Sequence, residues 1–176
     1  MGKYLAEMDV LSAGHGAHLA AAVRYQTDNQ PAGCAVWPRY KQSAVQFSSG
    51  FGFSWSAPRV VTGYLQQSAC LIKTSEANGA DGALVLVFGY KPTANMPHDD
   101  YGQRFIVSYD NGTSWSNRIF QLHRGGMYAS SAATADDTIV TVLADGPALS
   151  TLRWRLLARD RVAANGFFRP SAVEAV

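Results

Sequence analysis

Short apolar and β-branched segments separated by Gly, Asn, Asp and Ser run the length of this chain, and no stretch sustains the 3.6-residue spacing of an amphipathic helix. The segments MDVLSA, HLAAAVRYQ, SAVQFS, APRVVT, SACLIKT, ALVLVFGY, RFIVSY, NRIFQL, ASSAATA, TIVTVLA and LSTLRWRLL each predict a strand. Their order recurs. A strand, a Gly-rich turn, a second strand, a longer loop, a third strand closed by an octapeptide and a short fourth strand make one unit. A fixed period of this size marks an array of like units, none of which buries its hydrophobic faces alone.

The octapeptides are SSGFGFSW at 48–55 and SYDNGTSW at 108–115. They align without a gap, so Ser48 falls on Ser108, Gly50 on Asp110, Gly52 on Gly112 and Trp55 on Trp115. In this spacing Asp110 accepts hydrogen bonds from nearby backbone N–H groups, Gly112 permits positive φ, and Trp115 covers the core. Gly50 in the aspartate's place in the first copy favours a structural over a catalytic role for Asp110. Superposing the units places the first near residues 5–62, the second near 65–122 and the third from 127 to 157, with a tail at 158–176 that has no repeat counterpart. The expected fold is all-β: four-stranded antiparallel blades of a β-propeller, about three in this chain, or half of a six-bladed ring.

At 176 residues and 47% apolar content the chain is long enough for one domain with a substantial core. Its net charge is +2 and its Lys and Arg are scattered, which argues against a nucleic-acid partner. The opening MGKYLAEMDV lacks the apolar core and cleavage site of a signal peptide. No apolar run reaches the roughly 18 residues of a membrane span, so a soluble protein is expected. Cys34 and Cys70 have no metal-ligand spacing and read as buried thiols. His15 and His18 share a hairpin turn without a third ligand, so neither a metal nor a cofactor is expected. His98, Asp99 and Asp100 form a polar loop tip, and Trp37 and Trp154 read as packing residues.

The pattern Ser-x-Asp-x-Gly-x-x-Trp, matched in full by Ser108, Asp110, Gly112 and Trp115, resembles the Asp-box, or BNR repeat, of the sialidase superfamily. Three further stretches resemble the C-terminal half of that family. GMYASSAATADDTIVTVLAD is similar to the last-blade segment that carries the nucleophilic tyrosine, with Tyr128 in that place and Asp137 where glycine is usual. EMDVLSAGHGAHLAAAVR is similar to the blade that carries a glutamate and an arginine, here Glu7 and Arg24. VFGYKPTANMPHDDYGQRFIVSYDNG is similar to the segment bearing two arginines, of which Lys91 replaces the first and Arg104 matches the second.

The resemblance implies a sialidase-like glycosidase acting on a sialoside or related glycan. Tyr128 is its nucleophile and Glu7 the base, while Arg24, Arg104 and Lys91 hold the substrate carboxylate. Glu7, Gln67 and Tyr128 lie 60 and 61 residues apart, each at the start of its unit's first strand. In a propeller that strand is innermost, so the three are expected to converge on the central channel, with Gln67 a further binding residue. The family's aspartate general acid and first arginine belong to blades upstream of the matched segment, and Asp9, Asp28, Asp99 and Asp100 do not sit in that motif. The chain is therefore expected to be a C-terminal portion or to be completed by another chain, most simply by a second copy. Two alternatives follow: a non-catalytic Asp-box propeller that binds glycan or protein, and an unrelated polysaccharide-active enzyme on the same scaffold.

Overall fold

A computed structural model describes residues 3–13, 18–27, 40–63, 65–75, 82–91 and 101–156. The described residues form eleven strands: β1 (Lys3–Ser12), β2 (Leu19–Thr27), β3 (Tyr40–Ser48), β4 (Arg59–Val60), β5 (Gln66–Lys73), β6 (Leu84–Tyr90), β7 (Gly102–Ser108), β8 (Phe120–Arg124), β9 (Met127–Ala133), β10 (Ile139–Asp145) and β11 (Ala148–Trp154). Each segment read as a strand contributes one of them. All strand-to-strand ladders are antiparallel within three sheets, ordered β1-β2-β3-β4, β5-β6-β7-β8 and β11-β10-β9. The fold is all-β. No helix occurs among the described residues, and no sheet closes on itself. The first two sheets have the expected four strands, and the third has three among the described residues.

The order in which the sheets pack explains their patterning. β5 lies against β1, β2 and β3 on one side and against β9 on the other, so the second sheet is sandwiched between its neighbours. Its strand β6, LVLVFGY, is accordingly buried on both faces for six consecutive residues and shows no alternation. In the third sheet β10 alternates, with Ile139, Thr141 and Leu143 buried and Val142 exposed, because only one face is covered. Between the first two sheets the core comprises Ala20, Ala22, Val45, Leu84, Leu86, Phe88 and Ile106. Between the second and third it comprises Val85, Val87, Phe105, Ile139, Leu143 and Trp154. Here Phe105 contacts Phe120 and Trp154 with ring centroids 5.0 and 4.8 Å apart, and Trp154 Nε1 donates to Thr141 Oγ1 at 2.9 Å.

The octapeptides form the same turn twice. Ser108 Oγ accepts from Gly112 N at 2.8 Å, and Ser48 Oγ accepts from Gly52 N at 2.9 Å. Ser116 N donates to Val107 O at 2.8 Å, and Ser56 N to Phe47 O at 2.9 Å. Asn111 and Gly112 have φ of 53° and 81°, matching 54° and 84° at Phe51 and Gly52. Asp110 acts within its own turn. Its Oδ1 accepts from Ser114 N at 2.7 Å and from Ser108 Oγ at 2.8 Å, and its Oδ2 from Ser114 Oγ at 2.5 Å. These bonds, led by that of the Ser114 hydroxyl, hold the Asp110 carboxyl down at about 2.

Trp115 is half-buried rather than fully covered. Its ring packs on the core between the first two sheets, and its Nε1 is buried without a hydrogen-bond partner among the described residues. Arg59 of β4 secures the same turn from the first sheet by donating to Thr113 O at 2.9 Å and to Gly112 O.

Candidate functional site

Three β-bulges set the geometry of the site. On β1, Ala6 pairs with Arg24 and Met8 with Val23, so Glu7 is an extra residue. On β5, Gln67 pairs with Gly89 and Cys70 with Val87, leaving Ser68 and Ala69 opposite Phe88. On β9, Met127 pairs with Ala144 and Ser130 with Val142, leaving Tyr128 and Ala129 opposite Leu143. Aligning the sheets by these registers makes Glu7, Ser68 and Tyr128 equivalent. Ser68 and Tyr128 share a left-handed backbone, with φ of 57° and 54°. A bulge bends its strand and re-aims the side chain it carries. Gln67 is therefore one residue off the expected position, which Ser68 holds: Glu7 and Ser68 stand 61 residues apart and Ser68 and Tyr128 60, so unequal loop lengths in the units, not the bulge that all three share, set the offset. The side chains of Glu7 and Gln67 lie outside the described residues, as do Cys34, Trp37, His15, His98, Asp99, Asp100 and the tail.

Tyr128 is 62% exposed and lines an open cleft of about 280 Å³ with Met8, Asp9, Ser68, Ala69, Cys70 and Ser130. The bulged segments of all three first strands thus border one space. Asp9, which no motif marked, is part of it: its Oδ2 accepts from Leu71 N at 2.9 Å, tying β1 to β5. At the equivalent place in the next sheet, burial pushes the Cys70 thiol up to about 11 against the opposing pull of hydrogen bonds from Ser131. A thiol so held is no nucleophile at neutral pH. Around Tyr128 lie further ionisable groups that the motifs missed. Tyr101 is raised above the usual phenol range by burial, then by the nearby Asp145 and Tyr128, and Asp145 Oδ2 stands 3.7 Å from His123 Nε2. Spatial proximity across two sheets is their only signal.

The predicted carboxylate-binding residues fall at the same end of the sheets without lining this cleft. Strand alternation carries Arg24 on the face of Ala20 and Ala22, and Arg104 on the face of Ile106, so both side chains face the space between the first and second sheets. Arg24 donates from Nε and Nη2 to the Gln26 side-chain oxygen at 2.8 and 3.1 Å when that amide is turned to accept. Arg104 stacks over the Tyr90 ring, its Cζ 4.0 Å from the centroid. Lys91 is exposed just beyond β6, its backbone N–H donating to Leu65 O at 3.3 Å.

The octapeptide turns occupy the opposite end. Phe88 faces the β5 bulge and Leu84 faces Ser108, four residues further along, so Asp110 stands at least roughly 13 Å from the bulge level at 3.3 Å per residue. A larger cleft at that end, about 380 Å³, is lined by Ala13, His18, Leu19, Phe47, Ser48, Ser49 and Asn111. Among the described residues His18 is its one ionisable group, whereas the Tyr128 cleft gathers a phenol, a carboxylate and hydroxyls, and chemistry is better sought there. No cluster of three or more His, Cys, Asp or Glu suited to a metal occurs among the described residues, and no described helix is long and apolar enough to cross a membrane. No family model matches the chain, and no curated protein matches it significantly.

Proposed function

We propose that the three sheets are consecutive blades of a sialidase-type β-propeller and that the cleft at Tyr128 is the centre of a glycoside hydrolase. The stacking of β1 on β5 and of β5 on β9 supports a radial arrangement with the first strands innermost. The observation that carries the functional reading is the level set of bulges, the last of which turns the Tyr128 phenol outward into a cleft shared by all three sheets.

On this reading Tyr128 attacks the anomeric carbon of a sialoside as the bond to the aglycone oxygen breaks and the aglycone leaves, taking a proton from solvent, and water then displaces the tyrosine to free the sugar. The anomeric carbon carries a carboxylate, which repels an anionic carboxylate nucleophile, whereas a phenol stays neutral until a base removes its proton during attack. Glu7, at the equivalent bulge of β1, is that base. Arg24 and Arg104, facing the adjoining groove, bind the substrate carboxylate after exchanging Gln26 and Tyr90 for it, with Lys91 a point charge at the rim. The test is release of a fluorogenic aglycone from a sialoside. Turnover by the wild-type chain that disappears in Tyr128→Phe supports the proposal, and turnover unchanged in that variant overturns it.

A second reading, a non-catalytic propeller that binds glycan, is favoured by the present engagement of Arg24 with Gln26 and Arg104 with Tyr90, away from the tyrosine. Retention on a sialylated glycan array without release of any aglycone selects it.

A further inference from the structure

We propose that Asp9 is the base for the second half of the reaction, taking a proton from the water that displaces the sugar from Tyr128. This rests on the glycosidase reading above.

The cleft has a floor and two walls. The β5 bulge, from Ser68 to Cys70, is the floor; Met8 and Asp9 of β1 form one wall, and Tyr128, Ala129 and Ser130 of β9 form the other. Asp9 reaches beyond its own wall. Its Oδ2 accepts the Leu71 N–H at 2.9 Å, and Leu71 follows Cys70 on β5, so the carboxylate lies over the floor. Stacked sheets stand about 10 Å apart, and β9 packs on the far side of β5. The Asp9 carboxylate and Tyr128 therefore share the cleft across one sheet spacing rather than two. Cys70 marks the middle: its thiol is hydrogen-bonded to Ser131 of β9 on one side and feels the Asp9 charge on the other.

Two features suit Asp9 to receive a proton. The Leu71 N–H fixes its direction without supplying a counter-charge. Among the described residues this is the carboxylate's only bond, so Oδ1 is available to a water. No cationic side chain lines the cleft among the described residues, so no ion pair competes for the same oxygen.

Once the sugar is bonded to the Tyr128 oxygen, a water beside Asp9 gives a proton to Oδ1 while its own oxygen bonds to the anomeric carbon. The bond from that carbon to the tyrosine oxygen breaks, and its electron pair returns to the phenolate, which recovers the proton held by Glu7. Asp9 then releases its proton to solvent. The water enters from the face that the aglycone left, opposite Tyr128, which is the side of the cleft that Asp9 occupies. Glu7 thus serves the first displacement and Asp9 the second.

A purely structural Asp9 would tie β1 to β5 and do nothing more. Asp9→Asn separates the two roles, because an amide oxygen still accepts the Leu71 N–H while the amide takes up no proton. The test is rapid mixing with a sialoside of a phenolic aglycone, a leaving group that departs without help from an acid. Asp9→Asn should unfold at the wild-type temperature, release aglycone in a burst, and then turn over about 10²–10⁴-fold more slowly than the wild type. Intact-mass spectrometry during the slow phase should find the sugar on the chain, and peptide digestion should map it to Tyr128. Azide, a nucleophile with no proton to remove, should raise the slow rate by at least about tenfold, form the glycosyl azide, and leave the wild-type rate unchanged. Asp9→Ala, which also loses the tie, should be less stable yet show the same azide response in its folded fraction. Steady-state turnover of Asp9→Asn equal to the wild type, loss of the burst, or a slow rate that azide does not raise overturns the role of Asp9. Any of these, with wild-type turnover still dependent on Tyr128, leaves the glycosidase standing. A wild-type chain that releases no aglycone overturns the glycosidase, and the role of Asp9 with it.

Discussion

The two ends of the sheets use the internal repeat in opposite ways. At the octapeptide end the copies agree: Ser48 and Ser108 accept the same backbone bonds, Gly52 and Gly112 take the same left-handed conformation, and Trp55 and Trp115 each pack beside a core. At the bulge end the backbone repeats but the side chains do not, since Glu7, Ser68 and Tyr128 occupy one position in three sheets. A task common to every sheet, such as closing a strand into a turn, fixes the same residue each time. A task performed once calls for unlike groups at like positions, which is the arrangement a site needs. Asp110 sits on the common side of this division despite its carboxylate, and Tyr128 on the singular side.

The contrast also exists within the turns, and the largest expected effect tests it there. A Cβ at Gly112 would collide with the Phe47 ring, while at Gly52 the nearest atom is Leu19 Cδ1 at 3.5 Å. Both have positive φ, which costs a non-glycine residue about 1–2 kcal/mol. Overpacking adds roughly 1–3 kcal/mol at Gly112 alone. Gly112→Ala should therefore lower denaturant stability by about 2–5 kcal/mol and Gly52→Ala by only about 1–2. Equal losses would mean that the second turn is not clamped onto the first sheet.

Next in size is Trp115→Ala, expected to cost roughly 2–4 kcal/mol, somewhat below the range for a fully buried aromatic because the ring is half-buried. Chemical denaturation measures it, and a loss within error would remove Trp115 from the core.

Asp110→Asn should cost less at neutral pH and show itself in the pH dependence. The folded carboxyl is depressed from 3.8 to about 2, so its stabilisation is complete above the unfolded value and lost as pH falls through the folded one. Thermal unfolding between pH 4 and pH 2 should fall less steeply in the variant than in the wild type, apart from the parallel contribution of Asp136, which Thr134, Thr138 and Arg155 hold at about 2. Identical slopes would show that the turn does not use the charge. The specific activity of the folded fraction should be unchanged.

Much of this division was legible in the sequence, and the reasons differ between its two sides. The strands were legible because alternation and turn residues are local signals; β6 departs from alternation, yet its run of apolar residues between turn signals still marks a buried strand. The octapeptide turn was legible because Ser, Gly and Trp hold fixed offsets. The bulges were not, since an inserted residue leaves composition and periodicity almost unchanged, and Gln67 lies one residue short of the position that Ser68 holds because the units differ by one residue in loop length, which spacing alone does not locate. Arg59, Asp9 and the pair His123 and Asp145 depend on contacts between residues distant along the chain, which no local spacing encodes. Asp137 is an intermediate case. It stands where the resembling motif has glycine, its φ of 61° is a glycine-type conformation, and its carboxylate accepts from Ser75 N at 2.6 Å, which ties the third sheet to the second.

Tyr128→Phe should have the smallest effect on stability, within about 0.5 kcal/mol, as for other exposed side chains. For that reason the residue is a clean probe of the central claim, that the singular position of the repeat carries the chemistry. The most direct measurement is mass spectrometry of the chain after incubation with a fluorinated sialosyl donor, chosen so that release of the glycosyl group is slower than its transfer to the protein. The account predicts one glycosyl group per chain, mapped by peptide digestion to Tyr128 and absent from Tyr128→Phe. Label on another residue, or aglycone release by the wild type with no label on Tyr128, would contradict it.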